Sequence, residues 1–249
     1  MKVTFKGLLN GNMLKIIAAV FMVADHIGVS FAYLIGHEWY IVCRSLGRIA
    51  MPLFAFLIAE GCRYTRDRKK YFLMIFLLGL ICNAAFYVVM NDVYFCILTT
   101  FSLSILLIYC YDEFLSALKS DEKAFSKLIS AGYAAAKFAL IVILALFIAD
   151  LTKRTDETFD YGLPGVFLPL LCYPIKNRWL RLIPFAAGIT WSVLSSPFPS
   201  PIPYFAFVAV IFVALYNGER GKLNLKYFFY IFYPAHTLVI EGIYLLLNI

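Results

Sequence analysis

The chain has 249 residues, of which 63% are hydrophobic and 18% aromatic, and it carries a formal net charge of +7. Soluble domains average about 45–50% apolar residues, so this composition excludes an ordinary soluble protein and indicates an integral membrane protein. Most of the excess basic residues fall in short loops between apolar runs, which favours membrane topology over a nucleic-acid partner as the reason for the positive charge.

Long apolar runs recur along the whole chain, and a helix needs roughly 20 apolar residues to cross a bilayer. We therefore predict an all-α polytopic membrane protein with a single transmembrane domain, residues 1–249, built as a bundle of about nine transmembrane helices. The predicted spans are 14–36, 43–62, 71–90, 93–111, 132–151, 161–175, 179–196, 202–216 and 226–248.

Two of the predicted segments depart from a simple membrane-spanning helix. The sixth span begins "DYGLPGVFLPLLCYP", and its glycine and proline residues predict a broken or tilted helix. The stretch 112–131 is the longest polar stretch and is predicted to be a partly helical cytoplasmic connection. The first span is expected to remain in the mature protein, because Asp25 and His26 interrupt its apolar run and no small-residue cleavage site follows.

The distribution of Lys and Arg predicts the orientation of the bundle. The stretch "RYTRDRKK" (63–70) holds five basic residues, whereas the stretches 91–93 and 195–203 hold none. By the positive-inside rule the N-terminus is cytoplasmic and the C-terminus lies outside, which nine spans satisfy. We therefore expect a multi-pass protein of the bacterial inner membrane that contacts the lipid bilayer and no nucleic acid.

The cysteines are expected to be small packing residues, because none has the C-x-x-C spacing typical of a metal site. They are Cys43, Cys62, Cys82, Cys96, Cys110 and Cys172. The sequence predicts no metal site and no disulfide framework.

Several ionisable residues lie within the predicted spans, where such groups are costly and therefore functional candidates. Asp25 and His26 lie near the centre of the first span, and adjacent residues on a helix point about 100° apart, so each needs a partner on another helix. Histidine titrates near neutral pH, which makes His26 the better candidate for proton transfer. His236 follows Pro234 in the last span, where a proline-induced kink favours a lined cavity.

Other charged residues of the spans have a packing role or a site role as alternatives. They are Glu60, Asp150 and Glu241, with Arg44 and Arg48 near the outer end of the second span. Lys15 lies eleven residues before His26, three turns earlier on a similar helix face; it either extends to the interface or provides a positive charge at the mouth of a cavity. The arginines of stretch 63–70 either set topology or bind phosphate oxygens.

Five segments, spread in order over nearly the whole chain, carry a resemblance to a known family. They are "LKIIAAVFMVADHIG", "GRIAMPLFAFLIAEGCRYTRDRKKY", "DYGLPGV", "YNGERG" and "FYPAH". Together they resemble the TraX family of bacterial membrane proteins, whose named member acts in conjugation and N-acetylates the pilin subunit. A looser resemblance is to membrane acyltransferases that acetylate glycans, which carry a basic residue eleven positions before a histidine and an Arg-x-x-Arg pair. Lys15 with His26 and Arg63 with Arg66 match these features.

The resemblance implies an acetyltransferase that uses acetyl-CoA as donor and a protein N-terminus or a glycan as acceptor. His26 would be the general base or a transient acyl carrier, and Asp25 and Asp160 would orient or balance the histidines, with His236 as a further catalytic residue. The phosphates of CoA would lie on Arg63, Arg66 and Arg220, with Lys15 as a further cofactor-binding residue at the mouth of the cavity. The oxyanion would be stabilised by Arg48 or by an amide near Gly162, with Glu60 in support.

Two other classes of function stay open from the residues alone. Mid-membrane Asp and His occur in proton relays and broken helices occur in transporters, so a proton-coupled transporter or flippase that uses Asp25 and His26 is the alternative. A structural subunit, in which the buried charges pair only with one another, is the third.

Overall fold

The computed structural model describes residues 7–90, 93–121, 123–196, 200–223 and 225–247. The described part of the chain divides into two compact units. The first unit comprises the described residues of Met1–Leu57 and Ile175–Ile249, and the second comprises those of Ile58–Pro174. That the whole chain acts as one transmembrane domain stays a prediction.

Within these residues the protein is almost entirely helical. In chain order the helices are α1 (Gly11–Ser30), α2 (Gly36–Tyr64), α3 (Arg68–Met90), α4 (Ile97–Lys119), α5 (Ala124–Thr155), α6 (Gly162–Cys172), α7 (Leu182–Leu194), α8 (Val208–Ala214) and α9 (Lys226–Leu246). A 3-10 helix, Ile202–Phe207, leads directly into α8. Each of the nine predicted spans therefore coincides with a helical segment, and the prediction of a helical membrane protein is confirmed.

The helices differ in their ability to cross a bilayer. Six of them are long and apolar enough to do so: α1, α2, α3, α4, α5 and α9. The apolar helices α6 and α7 have only 11 and 13 residues, and the third short segment is Ile202–Ala214. Since a helix rises about 1.5 Å per residue, α6 is roughly 17 Å long, well below a hydrocarbon core of about 30 Å. Nine crossings therefore stay a prediction.

Helix α1 ends earlier than the sequence predicted, and this changes the position of its polar residues. The first span was expected to reach residue 36, but α1 ends at Ser30 and residues 31–35 form a turn. Phe31 caps the helix by donating its amide to the carbonyl of Ile27. Asp25 and His26 therefore lie within the last two turns of α1, and not at its centre.

The polar stretch 112–131 is largely helical, whereas the sequence predicted a connection that is only partly helical. Helix α4 continues to Lys119 and α5 begins at Ala124. Glu113, in the extended end of α4, pairs with Lys137 further along α5. At its 32 residues α5 is roughly 48 Å long, so it extends beyond a single hydrocarbon core.

The second unit also contains a small parallel pairing that an all-helical prediction does not include. Strand β1 (Tyr94–Phe95) pairs with β2 (Thr158–Phe159) just before α4 and just before α6. The Asp160 amide donates to the carbonyl of Phe95, and the Thr100 hydroxyl donates to the carbonyl of Asp160 at 2.8 Å. This pairing fixes the start of α6 against the start of α4.

Small and hydroxyl-bearing residues let α4 and α6 approach closely in the second unit. Gly165 lies so near α4 that a Cβ there would come within 3.0 Å of the Thr100 methyl group. The buried Ser104 hydroxyl donates to the carbonyl of Val166 at 2.7 Å. Helices in lipid associate through this kind of close packing and hydrogen bonding, because apolar side chains gain little by leaving lipid. Leu107 and Ala145 complete the core with α5.

Apolar side chains also cover much of the outer surface. On α5, for example, Leu140, Ile143 and Phe147 are each more than 60% exposed. A soluble protein rarely exposes a continuous apolar face of this size. The exposed face of α5 is consistent with contact to the lipid bilayer.

Candidate functional site

Helices α1 and α9 lie side by side in the first unit and run in the same direction. Lys15 lies 5.9 Å from the centre of the Phe229 ring, and His26 lies 4.7 Å from His236, ring centre to ring centre. Further along, Ser30 contacts Glu241. Residue numbers rise together along both helices, so α1 and α9 are parallel. We call this row of contacts, from Lys15–Phe229 to Ser30–Glu241, the contact line.

The two histidines that the sequence singled out meet on this contact line. Their rings form an edge-to-face pair with an interplanar angle of 84°. His236 is only 7% exposed, and the ring of Phe232 stacks on it at 5.1 Å. Helix α9 continues through Pro234 without a break. Two residues about 200 positions apart thus form one imidazole pair, in which His236 is buried and His26 is half-buried.

Backbone contacts fix the tautomer of both rings. The Nδ1 atom of His26 lies 2.8 Å from the carbonyl oxygen of Met22, and that of His236 lies 2.9 Å from the carbonyl oxygen of Phe232. A carbonyl oxygen only accepts, so each neutral ring carries its proton on Nδ1 and a lone pair on Nε2. Thr237 lies 3.4 Å from the Nε2 atom of His236. Among the described residues, no hydrogen bond reaches the Nε2 atom of His26, which leaves a nitrogen base directed away from its own helix.

Asp25 faces a different neighbour from His26, as the 100° between adjacent helical residues predicts. Its Oδ2 atom lies 2.7 Å from Arg44, and its Oδ1 atom lies 3.0 Å from Arg48. The resemblance implied that Asp25 orients the histidines and that Arg48 stabilises an oxyanion. The structure instead joins these residues to each other, and the carboxylate is held between two guanidinium groups of α2.

The close approach of α1 and α2 at this ion pair depends on Gly47. A Cβ at that position would lie 2.1 Å from the Oδ1 atom of Asp25, which is far inside contact distance. Only glycine admits the carboxylate here, so the position of Asp25 is set by the packing of both helices.

Ser30 and Glu241 form a third polar contact on the α1–α9 line, which the sequence reasoning did not place in the site. The Ser30 hydroxyl donates to the Oε1 atom of Glu241 at 2.6 Å. Ser30 lies one turn after His26 on the same helix face. That spacing, together with an acid inside an apolar helix, was the signal available in the sequence.

The loop before α9 holds the start of α1. The amide groups of Gly11 and Asn12 donate to the carbonyl oxygens of Glu219 and Arg220 at 2.7 and 3.0 Å. Gly221 has a φ of +93°, and a Cβ there would lie 2.7 Å from the side chain of Asn10. Gly218 also has a positive φ, of +84°, so the turn favours both glycines of "YNGERG", and the close approach requires Gly221.

Two of the predicted cofactor-binding residues lie at this end of the first unit. Lys15 is half-buried beside Phe229, and the positive charge of Arg220 lies close enough to repel it. Eleven residues separate Lys15 from His26, so the two lie about 16 Å apart along α1. Two like charges held together near a helix end are suited to binding an anion.

The remaining predicted site residues belong to the second unit. Arg63 donates to Glu60 and to the carbonyl oxygen of Tyr173, both at 2.6 Å, while Arg66 is exposed. A phosphate on Arg63 therefore competes with two contacts inside the protein. Glu60, predicted as a supporting residue, is 5% exposed and has Arg63 as its ion-pair partner.

Asp160 and Gly162, also in the second unit, belong to the turn that starts α6. Gly162 has a φ of +47° and Tyr161, beside it, one of +56°, so two consecutive residues are in the left-handed region. Asp160 uses its backbone in the β1–β2 pairing described above. Among the described residues, no three His, Cys, Asp or Glu side chains are grouped as a metal site would require.

Comparison with known proteins supports one family. The chain is 26% identical over 238 residues to "Probable fimbrial assembly protein FimC, serogroup H1" of Dichelobacter nodosus, an alignment that covers 90% of this chain and 91% of that protein. No solved structure matches the chain. The family model described as "TraX protein" matches residues 10–244, which include the histidine pair, the Asp25 ion pair and the turn that holds α1. The chain therefore belongs to the TraX family.

Proposed function

We propose that this protein is a membrane-embedded acetyltransferase that uses acetyl-CoA as donor and acetylates a protein N-terminus or an envelope glycan. The observation that carries the proposal is the His26–His236 pair, in which a backbone contact leaves the Nε2 atom of His26 as a free base. A relative named for fimbrial assembly favours a pilin-like protein as the acceptor.

The chemistry requires one base near the thioester. The acceptor nitrogen or oxygen attacks the thioester carbonyl carbon, and the Nε2 atom of His26 takes the proton that the acceptor loses. The new C–N or C–O bond forms as the C–S bond breaks, and the proton passes from His26 to the departing thiolate, which leaves as CoA thiol. His236, edge-on to His26, stabilises the protonated ring by facing it with a neutral imidazole.

The donor is expected to bind with its phosphates beside Lys15 and Arg220. Those two cations lie at the start of α1, and the extended pantetheine arm spans a distance of the same order as the 16 Å to His26. Contributions of Arg63 and Arg66 stay predictions of the sequence. The ion pairing of Asp25 favours this proposal over a proton-coupled transporter, because Asp25 contacts Arg44 and Arg48 and not His26, so Asp25 and His26 do not form the relay that such a transporter would use.

The test of the proposal is calorimetric binding of acetyl-CoA to the detergent-purified protein, followed by assay of CoA release with peptide and glycan acceptors. We expect saturable binding by the wild type. Lys15→Gln should weaken binding about 10-fold, because it removes a charged contact to phosphate. The matched control is Lys153→Gln, an exposed lysine at the end of α5, which should bind like the wild type. A well-folded wild type without saturable binding would refute the acetyl-CoA proposal.

The orientation of the spans is part of the same proposal: a protein of the bacterial inner membrane with a cytoplasmic N-terminus, nine spans and an outer C-terminus. Helices α1 and α9 run parallel, so the chain between them must cross the membrane an odd number of times. The four long helices α2 to α5 supply an even number. One or all three of the short helical segments must therefore cross as well, and nine spans satisfy this condition.

We expect alkaline phosphatase fused after residue 249 to be active, because that enzyme folds only outside the cytoplasm. The same reporter fused at residue 120, between α4 and α5, should be inactive, and a fluorescent protein that folds in the cytoplasm should give the opposite pattern at both sites. Two active phosphatase fusions, or two inactive ones, would contradict the proposed topology.

A further inference from the structure

Glu241 differs in its electrostatic surroundings from the other acid of the α1–α9 region. It is half-buried on a helix long and apolar enough to span the membrane, and its Oε1 atom accepts a hydrogen bond from Ser30. Among the residues that the structure describes, no Lys, Arg or His forms an ion pair with Glu241, whereas Asp25 on the neighbouring helix has two arginines. An ionised carboxylate at this depth is costly without a positive partner.

Resting on the proposed function, we infer that Glu241, held by Ser30, binds the cationic group of the acceptor, and that this contact selects a primary ammonium over a hydroxyl. Ser30 occupies one carboxylate oxygen and fixes the side chain, so the second oxygen remains for the ligand. The site lies one turn beyond His26 along α1, a rise of about 6 Å. An ammonium group bound there lies beside the base that the reaction uses.

The contact assigns an order to the proton transfers. The acceptor binds as –NH₃⁺ against the carboxylate and loses its first proton to solvent, which gives the neutral amine that can attack. The amine nitrogen then bonds to the thioester carbonyl carbon as the C–S bond breaks, and its second proton passes through the Nε2 atom of His26 to the CoA thiolate. The products are an N-acetyl amide that retains one N–H, CoA thiol and one free proton.

The same contact explains how a hydroxyl acceptor would be rejected. A neutral hydroxyl cannot balance the carboxylate, so its binding would leave Glu241 charged and desolvated. Sites that are built around a specific polar partner reject analogues that lack this partner strongly, because the polar group of the protein is then left unsatisfied.

The experiment compares two probes, alanyl-alanine amide and lactyl-alanine amide. They differ only in that the first carries an ammonium group where the second carries a hydroxyl group. Binding is measured calorimetrically without acetyl-CoA, so that the result does not depend on transfer. We expect the wild type to bind the ammonium probe at least about 10-fold more tightly than the hydroxyl probe. Glu241→Gln, which keeps the size of the side chain and the contact to Ser30, should lose this preference.

Three variants complete the design. Glu241→Asp keeps the charge and should retain part of the preference, and Ser30→Ala should weaken it because the carboxylate is no longer held. Glu38→Gln, an exposed acid in the first turn of α2, is the matched control and should behave like the wild type. Circular dichroism and size-exclusion chromatography check that each variant is folded.

The outcomes separate this inference from the proposed function. A wild type that binds neither probe overturns the inference. A Glu241→Gln variant that keeps the full preference also overturns it, since this is the result expected if Glu241 is protonated and held only by Ser30. Selective ammonium binding by a protein that neither binds acetyl-CoA nor releases CoA would support the cation site and refute the acetyltransferase.

Discussion

Replacing His26 with glutamine is expected to reduce acetyl transfer by about 100- to 10,000-fold, the usual contribution of a general base. Glutamine is close to histidine in size but has no basic nitrogen, so it cannot take the proton that the acceptor loses. The affinity for acetyl-CoA should stay unchanged, because the donor's phosphates are expected about 16 Å away along α1. The measurements are the rate of CoA release with a saturating acceptor and the calorimetric affinity for acetyl-CoA.

His37 provides the matched control for this substitution. It is exposed in the first turn of α2, so His37→Gln should leave both the rate and the affinity unchanged. His236→Gln should lower the rate less than His26→Gln does, because His236 supports the base and does not itself take the proton. A His26→Gln protein that releases CoA at the wild-type rate would remove His26 from the chemical step.

The second large effect is expected on stability, for Asp25→Asn. The substitution keeps the shape of the side chain but removes the negative charge that lies between Arg44 and Arg48. Breaking a fully buried ion pair costs about 3–5 kcal/mol. The three side chains here are 17–21% exposed, so solvent screens part of the loss and we expect a decrease of about 2 kcal/mol in the free energy of unfolding.

Asp150→Asn is the control, because Asp150 pairs with Arg154 on α5 with side chains that are 57% and 75% exposed. That substitution should cost less than about 0.5 kcal/mol. Adding Arg44→Met to Asp25→Asn should restore part of the lost stability by removing one of the two repelling charges. Equal stabilities of Asp25→Asn and Asp150→Asn, measured by denaturation in detergent, would show that the Asp25 ion pair is not a structural element.

The positions of the helices could be predicted from the sequence because hydropathy is a local property. All nine apolar runs, down to the 11 residues of α6, contain a helix at the expected place. Helix ends were predicted less well where a helix continues beyond its apolar residues into a polar stretch. Helix α4 continues through polar residues to Lys119, and the Glu113–Lys137 pair that stabilises this extension joins residues 24 positions apart. A two-residue strand such as β1 has no periodicity to detect.

The candidate site could be predicted residue by residue, but its pairings could not. A charged residue inside an apolar run is visible in the sequence, which is why Asp25, His26 and His236 were selected. Which of them meet depends on how α1, α2 and α9 pack, and this is non-local. The histidines were therefore expected to be the partners of Asp25, although its partners in the structure are Arg44 and Arg48 of α2. Glu241 stayed outside the site for the same reason, since its contact to Ser30 spans 211 positions.

The carbonyl groups of Glu219 and Arg220 that hold the start of α1 have a consequence for the biogenesis of the protein. Helix α1 is synthesised well before its neighbour α9 and before the loop whose carbonyl groups accept its amide hydrogen bonds. Asp25 can pair with α2 early in translation, but His26 and Ser30 meet their partners only after α9 has been synthesised. A ribosome that stops before α9 therefore leaves a chain without the His26–His236 pair.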